Sequence, residues 1–176
     1  SSKGKSKIGT TGNGIGPCYS DKASRLGVRM GDLLDDATIL ERLNKALPRN
    51  KALLSHYGVE NDLTVDVLFD MCKSWRNKLK DMITDTSLLI NNHIVDGANV
   101  LLEGAQGVHI DIEYGTYPFV TSSSPTTSGA ALGSGIAPNK ISEVVGVTKA
   151  YLTRVGSGPF PTELEDDIGE LIRDKG

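Results

Sequence analysis

Between Leu63 and Thr84, the residues Val65, Leu68, Cys72, Trp75, Leu79 and Met82 recur at spacings of three and four. Side chains so spaced line one face of an α-helix, and an apolar face of that length has to be covered. The fold is therefore expected to build around this helix. The stripe is shorter than three heptads and has a Trp and a Cys in its seam, so it reads as core packing rather than coiled-coil pairing. A second helix is expected after Asp36 as its N-cap, with Ile39, Leu40, Leu43 and Leu47 on one face and Pro48 as its stop. A third takes in Ser87 to Val95 and closes at Gly97.

Two apolar runs read differently. Val100-Leu101-Leu102 and the stretch Val144 to Tyr151 have the look of buried strands. Each runs into a loop of small residues, Glu103-Gly104-Ala105-Gln106-Gly107 and Gly156-Ser157-Gly158-Pro159. Helices alternating with such strands predict an α/β class with a mainly parallel central sheet flanked by helices. A helical scaffold segment, about 44–98, would be inserted between the first Gly/Thr loop and the Glu103 to Gly107 strand-loop. Residues 121–138 have the composition of a Ser/Gly linker, but their Ala-Ala-Leu centre argues for structure.

Composition excludes some functions. With 19 Lys plus Arg against 22 Asp plus Glu, the net charge of -3 gives no global positive field for gripping nucleic acid. No stretch is apolar enough for a membrane span, and Cys18 and Cys72 lack metal-ligand or disulfide spacing. A cytoplasmic protein with reduced thiols is expected. Gly4-Lys5-Ser6 mimics the tail of a P-loop without the glycine that motif needs five positions earlier, so it reads as a solvated basic tail.

Three stretches could hold a ligand: the loop Ile8 to Pro17, the Glu103 to Gly107 loop, and the hydroxyl-rich segment after Phe119-Val120. Each offers backbone N–H groups, hydroxyls or an amide, the neutral donors that cradle a phosphate or a purine edge. A positive charge would then come from one arginine. Taken singly these signals are generic. A threonine can cap its own turn, a loop glutamine can bond backbone, a lysine can stay solvated, and an arginine can form a surface ion pair. His109 reads as a packed or hydrogen-bonded residue, not a general base. Asn139-Lys140-Ile141-Ser142 begins like a guanine-reading motif but has Ser142 where an aspartate is needed, which leaves a turn.

Wording and order make the difference. Ile8-Gly9-Thr10-Thr11, then Gly14-Ile15-Gly16-Pro17-Cys18-Tyr19-Ser20-Asp21-Lys22-Ala23-Ser24-Arg25, opens a series of blocks. Glu103 to Gly107, Gly115 to Ser123, and Lys149 to Glu163 follow it. In that order they resemble blocks of the adenylosuccinate synthetases, the GTP-dependent ligases that join L-aspartate to IMP. The resemblance spans nearly the whole chain apart from a divergent stretch between about Asn44 and Ala98. It covers only the middle of the family's longer chain, so residues 1–176 are expected to be the central part of one larger domain.

The resemblance implies specific roles. Thr11 and Thr121 would supply hydroxyls to the IMP phosphate, and Arg25 would reach the phosphate of the other subunit in a homodimer. Gln106 would hold the purine 6-oxygen, and Lys22 would support phosphate binding or the active-site field as a catalytic residue. Val155 and Gly156 would line the ribose. Asn13 stands where many members carry Arg or Lys, which puts a phosphate role there in doubt. The family reaction runs through 6-phosphoryl-IMP, made with GTP and Mg²⁺ and then attacked by the aspartate amino group, giving adenylosuccinate, GDP and phosphate in AMP biosynthesis. Its P-loop-like segment, aspartate loop and guanine-reading segment find no match here, so the Mg²⁺ ligands are expected elsewhere and no metal ligands within this segment. The competing expectation is a truncated, noncatalytic IMP- or phosphate-binding dimerisation module.

Overall fold

The computed structural model describes residues 12–175. They contain six α-helices: α1 Ile15–Ala23, α2 Asp36–His56, α3 Val65–Leu79, α4 Thr86–Val95, α5 Thr127–Ser134 and α6 Asp167–Lys175. Short 3-10 turns at Met30–Leu34, Lys80–Met82, Val108–Ile110 and Pro138–Lys140 punctuate the connections. The chain divides into two compact units, Gly14–Leu101 and a second one from Leu102 onward that also includes residues 12 and 13.

In the first unit, α2 and α3 pack on each other and on the Met30–Leu34 turn. The core is Leu33, Ile39, Leu43 and Cys72, with Val65, Leu68, Phe69 and Ile83 against it. The apolar periodicity of both helices therefore does what its spacing requires, burying one face of each against the other. Burial also raises the Cys72 thiol above its ordinary pKa, so it stays protonated and inert, and both Cys18 and Cys72 are free. The far end of the α3 stripe is less covered: Trp75 is 46% and Met82 68% exposed.

The start of α2 is one residue from the expected one. Asp35 is the N-cap, its Oδ2 accepting from the Thr38 amide and hydroxyl, both at 2.7 Å. Asp36 instead pairs with Arg76 of α3 and ties the two helices together. Pro48 does not stop α2, which continues to His56. The residues just past it are anchored from outside the helix: Arg49 Nη1 meets Asp21 Oδ1 at 3.0 Å and Asn50 Nδ2 donates to Asp21 Oδ2 at 3.1 Å. Tertiary bonds hold the turn that a proline would otherwise release. Thr64 caps α3 and Asp85 caps α4, each accepting from the amide three residues on.

The expected parallel sheet is absent: no strand occurs among the described residues. A strand exists only as one partner in a ladder, and neither Val100-Leu101-Leu102 nor Val144 to Tyr151 has one among the described residues. Their side chains are correspondingly open, with Leu101 88%, Val145 75% and Val147 95% exposed. The α/β expectation is thus corrected to helices and irregular chain.

In the second unit a compact loop system precedes α5. Thr121 N donates to the Ile110 carbonyl at 2.8 Å, Ile112 N to the Ser123 carbonyl at 3.2 Å, and Thr116 N to the His109 carbonyl at 2.9 Å. His109 thus serves this loop through its carbonyl. A Cβ on Gly115 would collide with the carbonyls of Asp111 and His109, so only glycine closes that turn. Gly135 ends α5 in the left-handed conformation, and Ala131 and Ile136 are buried.

Candidate functional site

The helix α1 carries the Lys22 and Arg25 candidates. It ends in a Schellman motif: Leu26 N donates to the Asp21 carbonyl at 2.9 Å and Arg25 N to the Lys22 carbonyl at 3.1 Å. That geometry places Arg25 at φ 62, in the left-handed region, with its side chain exposed. Two other helices end the same way with glycine at the equivalent position. Gly58 (φ 68) follows α2, where Val59 N reaches the Leu54 carbonyl. Gly97 (φ 81) follows α4, where Ala98 N reaches the His93 carbonyl. Arginine at such a position costs about 1 kcal/mol relative to glycine. Lys22 lies in the last turn of α1, exposed, with its Nζ 5.8 Å from the centre of the Tyr19 ring.

Gln106 and Thr121 come together in the second unit. Gln106 Nε2 donates to Thr121 Oγ1, and Gln106 Oε1 accepts from Ser123 Oγ, both at 3.4 Å. The carboxamide is oriented at both ends by bonds near the outer limit of length, which a tighter ligand contact could replace. Gln106 itself sits at φ 73. Arg25 and Gln106 are the non-glycine residues with positive φ among those described, and both are site candidates. Residues held in that region cluster where function requires the side chain.

Asp111 follows Ile110, whose carbonyl accepts from the Thr121 amide. It is fully buried, and its Oδ1 accepts from Glu113 N at 2.8 Å and Tyr114 N at 3.3 Å. Burial, the largest influence, pushes its pKa up. The amides of Glu113 and Tyr114 and the neighbouring Thr126 outweigh that and hold the carboxyl below its ordinary value. Asp111 Oδ2 and Thr126 Oγ1 are each buried without a hydrogen bond of strict geometry.

Arg154 links two loops. Its Nη2 donates to the Phe119 carbonyl at 2.8 Å and to Thr116 Oγ1 at 3.1 Å, while Nη1 donates to the Pro159 carbonyl at 3.1 Å. Residue reading alone assigned neither Arg154 nor Asp111 a role. An acid between two isoleucines, Ile110-Asp111-Ile112, was the available signal for Asp111. Arg154 has no comparable local signature, since its acceptors are neutral: the nearby Ser157 and Pro159 carbonyls and, distant in sequence, the Phe119 carbonyl and the Thr116 hydroxyl.

Thr11 lies outside the described residues. Lys22 and Arg25 belong to the first unit, Gln106 and Thr121 to the second. Val155 is 92% exposed and Gly156 has φ 89. A cavity of about 530 Å³ runs along α5 between Thr127 and Ile141 and includes none of the candidates. Among the described residues no group of three or more His, Cys, Asp or Glu is placed to hold a metal. No helix among them is long and apolar enough to cross a membrane.

Comparison with known proteins places the chain in a family. The family model described as adenylosuccinate synthetase matches residues 1–176. The adenylosuccinate synthetase of Levilactobacillus brevis is 54% identical over 172 residues, 97% of this chain and 40% of that protein. That of Thermobifida fusca is 50% identical over 173 residues, 98% of this chain and 40% of that protein. A solved structure of fully ligated adenylosuccinate synthetase from Plasmodium falciparum has 42% identity and a TM-score of 0.84, covering 96% of this chain and 39% of that one. The chain spans about 40% of the length of the curated relatives it matches. It belongs to the adenylosuccinate synthetase family.

Proposed function

We propose that this chain supplies the IMP-binding part of an enzyme that ligates L-aspartate to IMP with GTP and Mg²⁺, releasing adenylosuccinate, GDP and phosphate. The observation that carries the assignment of residues is that Arg25 and Gln106, each picked out by its motif, occupy left-handed backbone that a longer side chain does not choose freely. Family membership carries the reaction.

In this reading the Arg25 guanidinium, exposed at the end of α1, reaches across a homodimer to form a bidentate contact with the IMP phosphate. Thr11 and the Thr121 hydroxyl complete the phosphate cradle. The Gln106 carboxamide, preset by Thr121 and Ser123, exchanges its long contacts for the purine 6-oxygen and stabilises charge developing there. Lys22 adds positive potential without transferring a proton. Mg²⁺ assists phosphoryl transfer from GTP through ligands outside this segment. The protein acts in the cytoplasm.

Titration calorimetry of the full-length protein with IMP tests this. Arg25→Ala should weaken IMP binding at least about tenfold with the helices intact by circular dichroism, because a charge-assisted contact contributes roughly 1.5–3 kcal/mol. Binding should also weaken on dilution below the dimer dissociation range. Unchanged IMP affinity in Arg25→Ala, or affinity indifferent to assembly, would remove the phosphate role across the dimer.

A further inference from the structure

We propose that Arg154 is a positioning residue for the IMP site, holding the loop that carries Thr121 and, through Thr121, the Gln106 carboxamide. This rests on the IMP-site reading above. Arg154 is half-buried, and its guanidinium is spent on neutral acceptors. Nη2 takes the Phe119 carbonyl at 2.8 Å, Thr116 Oγ1 at 3.1 Å and the Ser157 carbonyl at 3.2 Å; Nη1 takes the Pro159 carbonyl at 3.1 Å, and Nε the Ser157 carbonyl at 3.4 Å. Among the described residues no carboxylate forms a salt bridge with it. A side chain kept for surface charge pairing would look different. This one is a rigid fork spanning two loops, a task that needs several donors in one plane.

The second loop is built to receive it. Gly158 has φ 123, and a Cβ there would lie 2.5 Å from Arg154 Nη2 and 2.6 Å from Phe119 Cβ. Backbone conformation and packing thus both demand glycine, and the close approach they allow presses the 157–159 loop onto Phe119. Phe119 is two residues before Thr121, whose amide is fixed to the Ile110 carbonyl at 2.8 Å. Thr116 Oγ1 also contacts the carbonyls of His109 and Phe119, at 3.2 and 3.3 Å. Arg154 therefore braces one end of the 116–121 turn and the Ile110 carbonyl the other. The Thr121 hydroxyl between those supports is what Gln106 Nε2 meets at 3.4 Å. Loss of the guanidinium removes the shortest bond to the Phe119 carbonyl, leaves that end of the turn to the longer Thr116 hydroxyl contact, and loosens the Thr121 hydroxyl against the carboxamide in a site that depends on orientation.

The test uses the full-length protein in three variants, Arg154→Met, Arg154→Lys and Gly158→Ala, titrated calorimetrically with IMP and separately with GTP. Arg154→Met should weaken IMP binding about tenfold while the GTP dissociation constant moves less than about twofold, the sum of lost contacts falling on one ligand only. Arg154→Lys, which keeps the charge and one or two donors, should recover part of the loss, to within about threefold to fivefold of wild type. Gly158→Ala should reproduce the IMP defect. IMP affinity equal to wild type in Arg154→Met would overturn the proposal, as would equal losses for IMP and GTP, which report general destabilisation. Should Arg154→Met fail to fold, wild-type IMP affinity in both Arg154→Lys and Gly158→Ala would overturn it. A wild-type protein that binds no IMP rejects the underlying site reading. A wild type that binds IMP and loses it on Arg25 or Gln106 substitution, but not on Arg154 substitution, rejects this inference alone.

Discussion

The Leu26 amide closes on the Asp21 carbonyl at 2.9 Å and folds the chain back over the end of α1, with Arg25 as the left-handed residue between them. Asp21 is itself held through both carboxylate oxygens by Arg49 and Asn50 of α2. The backbone under Arg25 is therefore fixed from two elements, and the strained residue cannot relax by unwinding the helix end. Within the same chain Gly58 and Gly97 do this job without a side chain.

Replacing Arg25 by glycine should therefore raise stability while lowering IMP affinity. Relief of the left-handed backbone is expected to add about 1 kcal/mol, partly offset by the greater freedom glycine has in the unfolded chain. Urea denaturation of Arg25→Gly would show a midpoint at or above wild type. A midpoint well below wild type would mean that the side chain holds the fold, contrary to its exposed placement.

Gln106 separates backbone from side chain in the same way. Asparagine tolerates positive φ better than most residues but is one methylene shorter, so Gln106→Asn should fold normally and lose the contacts to Thr121 and Ser123. The expected loss in IMP affinity is about fivefold to tenfold, the worth of one hydrogen bond. Equal affinity of the two proteins would exclude a contact from the Gln106 carboxamide to the purine.

Asp111 and Asp35 predict acid sensitivity. Both carboxyls have folded pKa values below the ordinary 3.8. For Asp35 the Thr38 hydroxyl is the first cause and the Thr38 amide the second. A depressed folded pKa gives stability that is fully present above the unfolded value and disappears as pH falls through the folded value. Urea midpoints should be flat above about pH 5 and decline below about pH 4. Asp111→Asn should make that decline shallower without abolishing it, since Asp35 remains. An identical decline in the variant would show that Asp111 does not contribute.

Pro48 offers a test of how α2 survives an internal breaker. Its missing N–H leaves the Asn44 carbonyl without its helical donor, at a helix-interior cost of about 3 kcal/mol relative to alanine. Pro48→Ala should raise the thermal midpoint, while Asp21→Ala, which removes the anchor for Arg49 and Asn50, should lower it. If Asp21→Ala leaves the second half of α2 as protected from hydrogen exchange as in wild type, the anchor is not what sustains that half.

The helices were legible in the sequence because their apolar faces repeat within a window of neighbours. Val65, Leu68 and Cys72 need only be close in number to be seen as one face, and they do form core. Pro48 misled because the bonds that override it come from Asp21, distant in sequence. The runs 100–102 and 144–151 misled for the opposite reason: their composition suits a strand, but strand formation is settled by a partner, and among the described residues none pairs with them. The candidate site residues rest on motif wording, which names Arg25, Gln106 and Thr121 but says nothing of left-handed backbone or of the 3.4 Å contact between the last two. Arg154 was hidden because a guanidinium that bonds carbonyls leaves no complementary charge to find.

Product formation by the full-length protein tests the central claim most directly: incubation with IMP, GTP, L-aspartate and Mg²⁺, with adenylosuccinate measured as IMP is varied. Adenylosuccinate should appear in step with GDP and phosphate, and Arg25→Gly should need at least about tenfold more IMP for half-maximal rate while remaining folded. A folded full-length protein that forms no adenylosuccinate, or an Arg25→Gly variant with the wild-type IMP dependence, would contradict it.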